Sequence, residues 1–332
     1  MLKHFCLSLK KAACYKVAFF VACLFFISAC QQNQGQDQKQ PHYAFITNQL
    51  SDTLSIIDTK TQQVIKTIDI GHRPAGIAVS PQSHQAFISN PEGKDITILD
   101  TKSLTVTAHI PVGDGPVGIA TNNDGSLIYV ADWYQHKISV INSQTHKIIA
   151  TIDVGNSPAG MIVHEQQLFV ANRDDNTVMI IDTHNYQIRH TIKVGTAPFG
   201  LALSPDGTTL YSVNVRSSDV SVIDTQSATV TNTINVGSWP YCATVSPNGQ
   251  HLFVTNQDDS TISVVDTVNP SIISTIDVGD SPEGIDITAN GQFVYVSNWG
   301  DGSISIINTD NYQVEKTLET GKGSRAFGLF IN

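Results

Sequence analysis

The chain has 332 residues, 41% hydrophobic and 8% aromatic, with 19 Lys and Arg against 29 Asp and Glu for a formal charge of -10. That balance disfavours nonspecific binding to nucleic acid or anionic lipid, although a local basic patch could override it. The length is ample for one large domain, and a closed all-β ring of this size need not split.

Residues 1-29 read as an export signal. Lys3, Lys10, Lys11 and Lys16 form a positive start, and Val17 to Ile27 an apolar stretch too short to span a bilayer comfortably, ahead of Ser28-Ala29-Cys30. Ile27-Ser28-Ala29-Cys30 resembles the lipobox of bacterial lipoproteins. The resemblance implies cleavage before Cys30 and lipidation of its thiol, hence attachment to a membrane. In a Gram-negative host, Gln31 would permit sorting to the outer membrane. Residues 30-41 hold the lipidated Cys and a Gln-rich run with nothing apolar to bury, a tether. Once the signal is removed, 15 Lys and Arg face 29 Asp and Glu, a charge of -14, and only Cys30 and Cys242 remain of five cysteines. With Cys30 lipidated, no intrachain disulfide is possible, so the core at 42-332 must supply the stability.

From 42 onward a unit of about 42 residues recurs seven times. Asn48, Asn90, Asp132, Asn172, Asn214, Asn256 and Asn298 mark it. So do Asp58, Asp100, Asn142, Asp182, Asp224, Asp266 and Asn308, and Gly71, Gly113, Gly155, Gly195, Gly237, Gly279 and Gly321. Within Gly195 to Gly237 the chain reads as four strands. Phe199 to Leu203 precedes a hairpin at Ser204 to Gly207, Leu210 to Val213 ends in a polar loop, Val220 to Ile223 turns at Asp224-Thr225, and Val230 to Val236 follows. Four short antiparallel strands per unit and seven units predict an all-β, seven-bladed propeller. The Asp and Asn markers are expected to bond backbone two residues on. The marker Gly is expected to supply a positive φ, and the Gly after Pro-x to start an innermost strand too crowded for a side chain.

The repeat begins at a second strand, Tyr43 to Thr47, and ends with an unpaired first strand, Ala326 to Ile331. Joining that last strand to the three N-terminal ones closes the ring and leaves no edge between the chain ends. Leu252-Phe253-Val254-Thr255-Asn256, Val294-Tyr295-Val296-Ser297-Asn298, the Ile-Asp-Thr turns and the Gly-x-x-Pro-x-Gly loops resemble the YVTN β-propeller repeat over residues 43-332. The resemblance implies an exported seven-bladed propeller and names no activity.

Alternating strand direction puts the loops after second and fourth strands on one face, the top. Trp133, Trp239 and Trp299 fall there, as do Arg73, Arg173, Arg216 and Arg325. Trp and Arg offer stacking faces and forked donors, the make-up of binding hot spots. The competing reading is a plugged channel with the arginines paired to Asp174, Asp175, Asp280 or Glu283. Two departures from consensus share this face: Trp239-Pro240-Tyr241-Cys242, and the loop at Lys322 to Arg325 that gains two residues.

Catalytic patterns are weaker. His72 and Glu283 could form an acid/base pair resembling the His and Glu chemistry of propeller lyases such as the streptogramin lyases. Cys242 has no His nearby in sequence, and Asp174-Asp175 and Asp258-Asp259 lack the full EF-hand ligand pattern. No cofactor motif is present: there is no Cys-x-x-Cys-His, P-loop or G-x-S-x-G. The leading expectation is a monomeric, lipid-anchored propeller in the cell envelope, at the outer membrane facing the periplasm. It would bind a ligand or protein partner through Arg73, Trp133, Arg173, Arg216, Trp239, Tyr241, Trp299 and Arg325. A lyase or lactonase-like hydrolase at the channel mouth is the alternative. Binding of single-stranded nucleic acid is a third reading, which the charge disfavours.

Overall fold

The computed structural model describes residues 42-332; the expected signal, Cys30 and the tether lie outside them. The described residues form a seven-bladed β-propeller without a helix. Blade 1 holds strands Tyr43–Asn48, Thr53–Asp58 and Gln63–Asp69. Blades 2 to 7 span 76-111, 116-153, 158-193, 198-235, 240-277 and 282-319, each with four antiparallel strands in sequence order.

Burial follows position in the blade. Second strands such as Leu252 to Asn256 and third strands such as Ile262 to Val265 are buried on both sides, while most residues of the fourth strands are exposed. Both faces of each middle strand pack against a neighbouring blade. These strands therefore read as continuous Val, Ile, Leu and Phe, whereas the outermost strand carries Thr, Lys and Asp toward water.

The marker residues do partly different work from that expected. The Asp turns behave as read: Asp58 Oδ1 accepts the amides of Lys60 and Thr61, and Asp266 Oδ1 those of Val268 and Asn269. The Asn markers instead reach across to the third strand. Asn256 Nδ2 donates to Thr261 and Ser263, and Asn48 to Thr53 and Ser55. Asp132 alone bonds two residues on, to the Tyr134 amide. The expected positive φ at the marker Gly is also corrected. It falls two residues later, at Arg73, Ser157, Ala197, Trp239 and Ser281. Gly is needed because the Asn side chain lies against it: a Cβ on Gly71 would come within 2.1 Å of Asn90.

Crowding of the innermost strands is confirmed. A Cβ on Gly118 would lie 1.8 Å from the Ala159 carbonyl of the next blade, and one on Gly160 2.3 Å from the Phe199 carbonyl. In blades 3 to 7 the first and second strands bulge at this point, as between Pro158 and Met161. In four blades a buried hydroxyl then staples the seam. Thr47, Ser89, Thr255 and Ser297 donate to the carbonyls of Ala75, Val117, Glu283 and Arg325 in the next blade. Ala131, Ala171 and Val213 stand at this position in blades 3 to 5, where they have no hydroxyl to give.

The C-terminus closes the ring against the first blade, but less regularly than expected. Residues 324-332 lie antiparallel to Tyr43–Asn48 through bridges Ala44 to Ile331 and Asn48 to Ser324. The Phe45 amide bonds the Phe330 carbonyl at 2.9 Å, and Arg325 the Thr47 carbonyl at 2.8 Å. Only Phe327–Leu329 is a strand, and it pairs in parallel with Gly76–Ser80 of blade 2. The expected two-residue enlargement of the preceding loop is corrected: Arg325 follows Gly321 by the same spacing as Glu283 follows Gly279, and Ser297 reaches the Arg325 carbonyl just as Thr255 reaches that of Glu283. The departure comes after Ala326, where Gly328 holds φ 114 and the segment touches blade 2 as well as blade 1.

Candidate binding site at the channel mouth

Seven residues, the x of each Pro-x-Gly or its equivalent, stand at the bulges where the inner strands crowd: Ala75, Val117, Ala159, Phe199, Tyr241, Glu283 and Arg325. They form a collar around the channel. Three consecutive members are small and four are large. Phe199 and Tyr241 have ring centroids 4.2 Å apart, and Phe199 meets Phe327 at 5.3 Å. Arg325 Nη2 donates to the Tyr241 hydroxyl at 2.6 Å, and its Nε lies 2.8 Å from Glu283 Oε2. The four large residues make a floor across the channel.

Above the floor lies a cavity of about 370 Å³ whose wall includes Trp133, Tyr134, Arg173, Trp239, Tyr241 and Arg325. Tyr134 is 70% exposed and Trp239 38%. Trp239 holds φ 53, a left-handed conformation that is unusual for so bulky a residue. Arg173 lies 5.8 Å from the Trp133 ring centroid and donates to Asp174 at 2.9 Å. The Ser157 hydroxyl, then Arg173 and Arg216, hold the Asp174 carboxyl below its usual range.

Five of the expected residues, Trp133, Arg173, Trp239, Tyr241 and Arg325, converge on this cup. Three stand apart from its lining. Arg73 pairs with Glu92 at 3.0 Å, Trp299 donates to Gln49 at 3.1 Å, and Arg216 is exposed on the top loop after Val215. Tyr134 and Phe199 were not singled out from sequence. Tyr134 sits in the same top loop as Trp133, and Phe199 would have emerged from comparing the x of Pro-x-Gly across the repeats.

Electrostatics of the floor are dominated by burial. Burial raises the Glu283 carboxyl, opposed by Arg325 and by the hydrogen bond from Gln257 at 2.9 Å. Burial also opposes the Arg325 charge, but Glu283 and Tyr241 outweigh it and keep the guanidinium protonated. The Cys242 thiol is pushed up by burial, against nucleophile chemistry, and the residue fills the crowded strand beside Gly200.

The structure does not join His72 to Glu283. His72 Nδ1 lies 2.8 Å from Asp52 and its Nε2 3.3 Å from Glu92, while Glu283 is held by Gln257 and Arg325. Asp175 and Asp259 accept the loop amides of Asn156 and Ser238, which assigns these carboxylates to turn geometry. A second cavity, also about 370 Å³, lies beyond the floor among Met161, Leu201, Leu203, Val245, Ile287 and Leu329.

Fold and site together define a seven-bladed β-propeller with an aromatic, arginine-bearing cup at one channel mouth. Residues 75–167 match the model of the YNCE-like beta-propeller family, which is consistent with the YVTN resemblance. No curated protein matches the sequence. Among solved structures, hydrazine synthase of Kuenenia stuttgartiensis is similar with a TM-score of 0.70 and 22% identity, over 75% of this chain and 87% of that one. A functionally unknown protein from Desulfotomaculum acetoxidans DSM 771 has a TM-score of 0.75 and 14% identity, over 86% and 99%. Dihydro-heme d1 dehydrogenase NirN, in complex with DHE, has a TM-score of 0.63 and 14% identity, over 83% and 63%. At these identities the likeness concerns the fold.

Proposed function

We propose that this propeller is a lipid-anchored binding module of the cell envelope, at the outer membrane facing the periplasm, which takes a ligand or a protein segment into the cup. The observation that carries the reading is Trp239: a large aromatic residue, 38% exposed, in a left-handed backbone conformation at the cup wall. Four other loops place Arg73, Ser157, Ala197 and Ser281 at the same positive φ, so the position does not require Trp. A bulky residue kept in a costly conformation on an exposed wall fits a recognition role. Cavities of this size suit small ligands or a single inserted side chain. A hydrolase or lyase finds less support, because His72 and Glu283 are engaged with separate partners.

The test is affinity capture from the native envelope with the intact lipoprotein beside a Trp239→Ala/Arg325→Ala variant. Interactions lost in the variant support the cup. An identical set of interactions, with the variant folded, would remove it.

A further inference from the structure

The cup carries a second layer of information, the sign of charge it accepts. Arg173 lies over Trp133 at 5.8 Å, and Arg325 lies 5.9 Å from the Tyr241 ring and 5.4 Å from Phe327. The attraction of these aromatic faces for a cation is therefore taken up by the protein's own guanidinium groups. A positively charged guest would find these faces occupied, while a negatively charged one would meet forked donors, Arg173 paired on one side with Asp174 and Arg325 with Glu283.

The pairing of Arg325 points the same way. Its Nε and Glu283 Oε2 stand 2.8 Å apart, yet neither atom makes an aligned hydrogen bond. The Glu283 side chain is only 6% exposed, and buried polar atoms are ordinarily satisfied. Glu283 thus neutralises Arg325 by proximity without using the parallel geometry that a carboxylate and a guanidinium can reach. A guest carboxylate entering from the cup can offer two oxygens to the fork. The neighbouring floor residues, Phe199 and Tyr241, are two of the collar members whose carbonyls no hydroxyl staples, so the floor lacks that restraint beside Arg325.

We propose that the cup takes a flat ring bearing a carboxylate, the ring lying against Trp239 and Trp133 and the carboxylate held by Arg325 in competition with Glu283. The proposal rests on the cup being a binding site and adds the class of ligand. Glu283 acts here as a positioning residue that sets how strongly Arg325 attracts the guest.

The experiment is calorimetric titration of the full chain with 2-naphthoate, (2-naphthylmethyl)ammonium and 2-naphthalenemethanol, which share a ring and differ in charge. Naphthoate is expected to bind at least about tenfold more tightly than the other two. Glu283→Gln should tighten naphthoate and leave the alcohol unchanged. The Arg325→Gln/Glu283→Gln double variant, which leaves no buried charge unpaired, should lose the preference for naphthoate while keeping its melting temperature. Equal or tighter binding of the ammonium or the alcohol overturns the assignment, as does weakening of naphthoate by Glu283→Gln or failure of all three to bind. Ammonium or alcohol binding that Trp239→Ala abolishes would overturn the carboxylate while leaving the cup as a binding site.

Discussion

Asp286 Oδ2 accepts the amide hydrogen of Phe330 at 2.8 Å, and the same oxygen accepts that of Ile331 at 2.9 Å. Asp286 belongs to the innermost strand of blade 7, and the two amides belong to the segment that closes the ring. This buried carboxylate therefore ties the closing segment to the last blade of the repeat, beside the Ser297 staple and the Glu283–Arg325 pair.

Burial pushes Asp286 up to about 6, against the three backbone amides that lower it. Because the folded value lies above the unfolded one, the stability this group contributes is full below about pH 4 and is lost as pH rises through about 6. The shift from 3.8 corresponds to about 3 kcal/mol. The turn carboxylates have the opposite sign: Asp100 and Asp266, lowered chiefly by backbone hydrogen bonds, lose their contribution as pH falls below their unfolded range. The melting temperature should thus rise from pH 7 to about 5 and fall under stronger acid. Asp286→Asn should shrink the first limb, leaving the part that the raised Glu283 carboxyl contributes with the same sign, and an unchanged limb would show that Asp286 has no share in it.

The Thr47 hydroxyl donates to the Ala75 carbonyl at 2.8 Å and accepts the Ala326 amide at 2.8 Å. Thr47→Val keeps the shape and strands both groups, an expected loss of about 1 to 3 kcal/mol in denaturant unfolding. Ala171→Ser places a hydroxyl where the Phe199 carbonyl has none and should gain about 1 kcal/mol. A neutral Thr47→Val would show that the staples do not carry stability.

Two glycine substitutions separate crowding from backbone conformation. A Cβ on Gly118 meets the Ala159 carbonyl at 1.8 Å, and backbone cannot turn aside, so Gly118→Ala should cost about 3 kcal/mol or more. At Gly249 the nearest atom is 3.7 Å away but φ is +73, so Gly249→Ala should cost only about 1 to 2 kcal/mol. Equal midpoints for the two variants would contradict seam crowding.

Cys242 is 7% exposed and its thiol is raised by burial. Peptide mapping after treatment with a thiol reagent should show Cys242 unmodified in the native protein and labelled at the rate of unfolding. Rapid labelling under native conditions would restore it as a nucleophile candidate.

The period made the blades legible because every unit repeats the same hydrophobic alternation and the same turn chemistry. What repetition hides is which partner a marker serves. Asn256 looks like a turn residue in sequence, yet its amide crosses to Thr261 and Ser263, because the third strand brings hydroxyls within reach. The closing segment was legible as a strand for blade 1. Its pairing with Gly76–Ser80 was not, since no other unit places a chain inside the inner strands. For the cup, unusual residue types revealed Trp133, Trp239 and Arg325. Phe199 escaped because an apolar residue in an apolar strand is ordinary until its position is compared across the repeats. Arg73 and Trp299 share the face but are turned to Glu92 and Gln49, contacts that spacing alone cannot supply.

The collar runs Ala75, Val117, Ala159, Phe199, Tyr241, Glu283, Arg325 around the channel, one residue from each turn of the repeat. Identical scaffolding thus carries seven independently spelled letters at its narrowest point. Substitution at this column changes what fills the channel while the repeat around it keeps its spacing. The filling of the channel is set like a combination dial, each unit of the repeat supplying one digit.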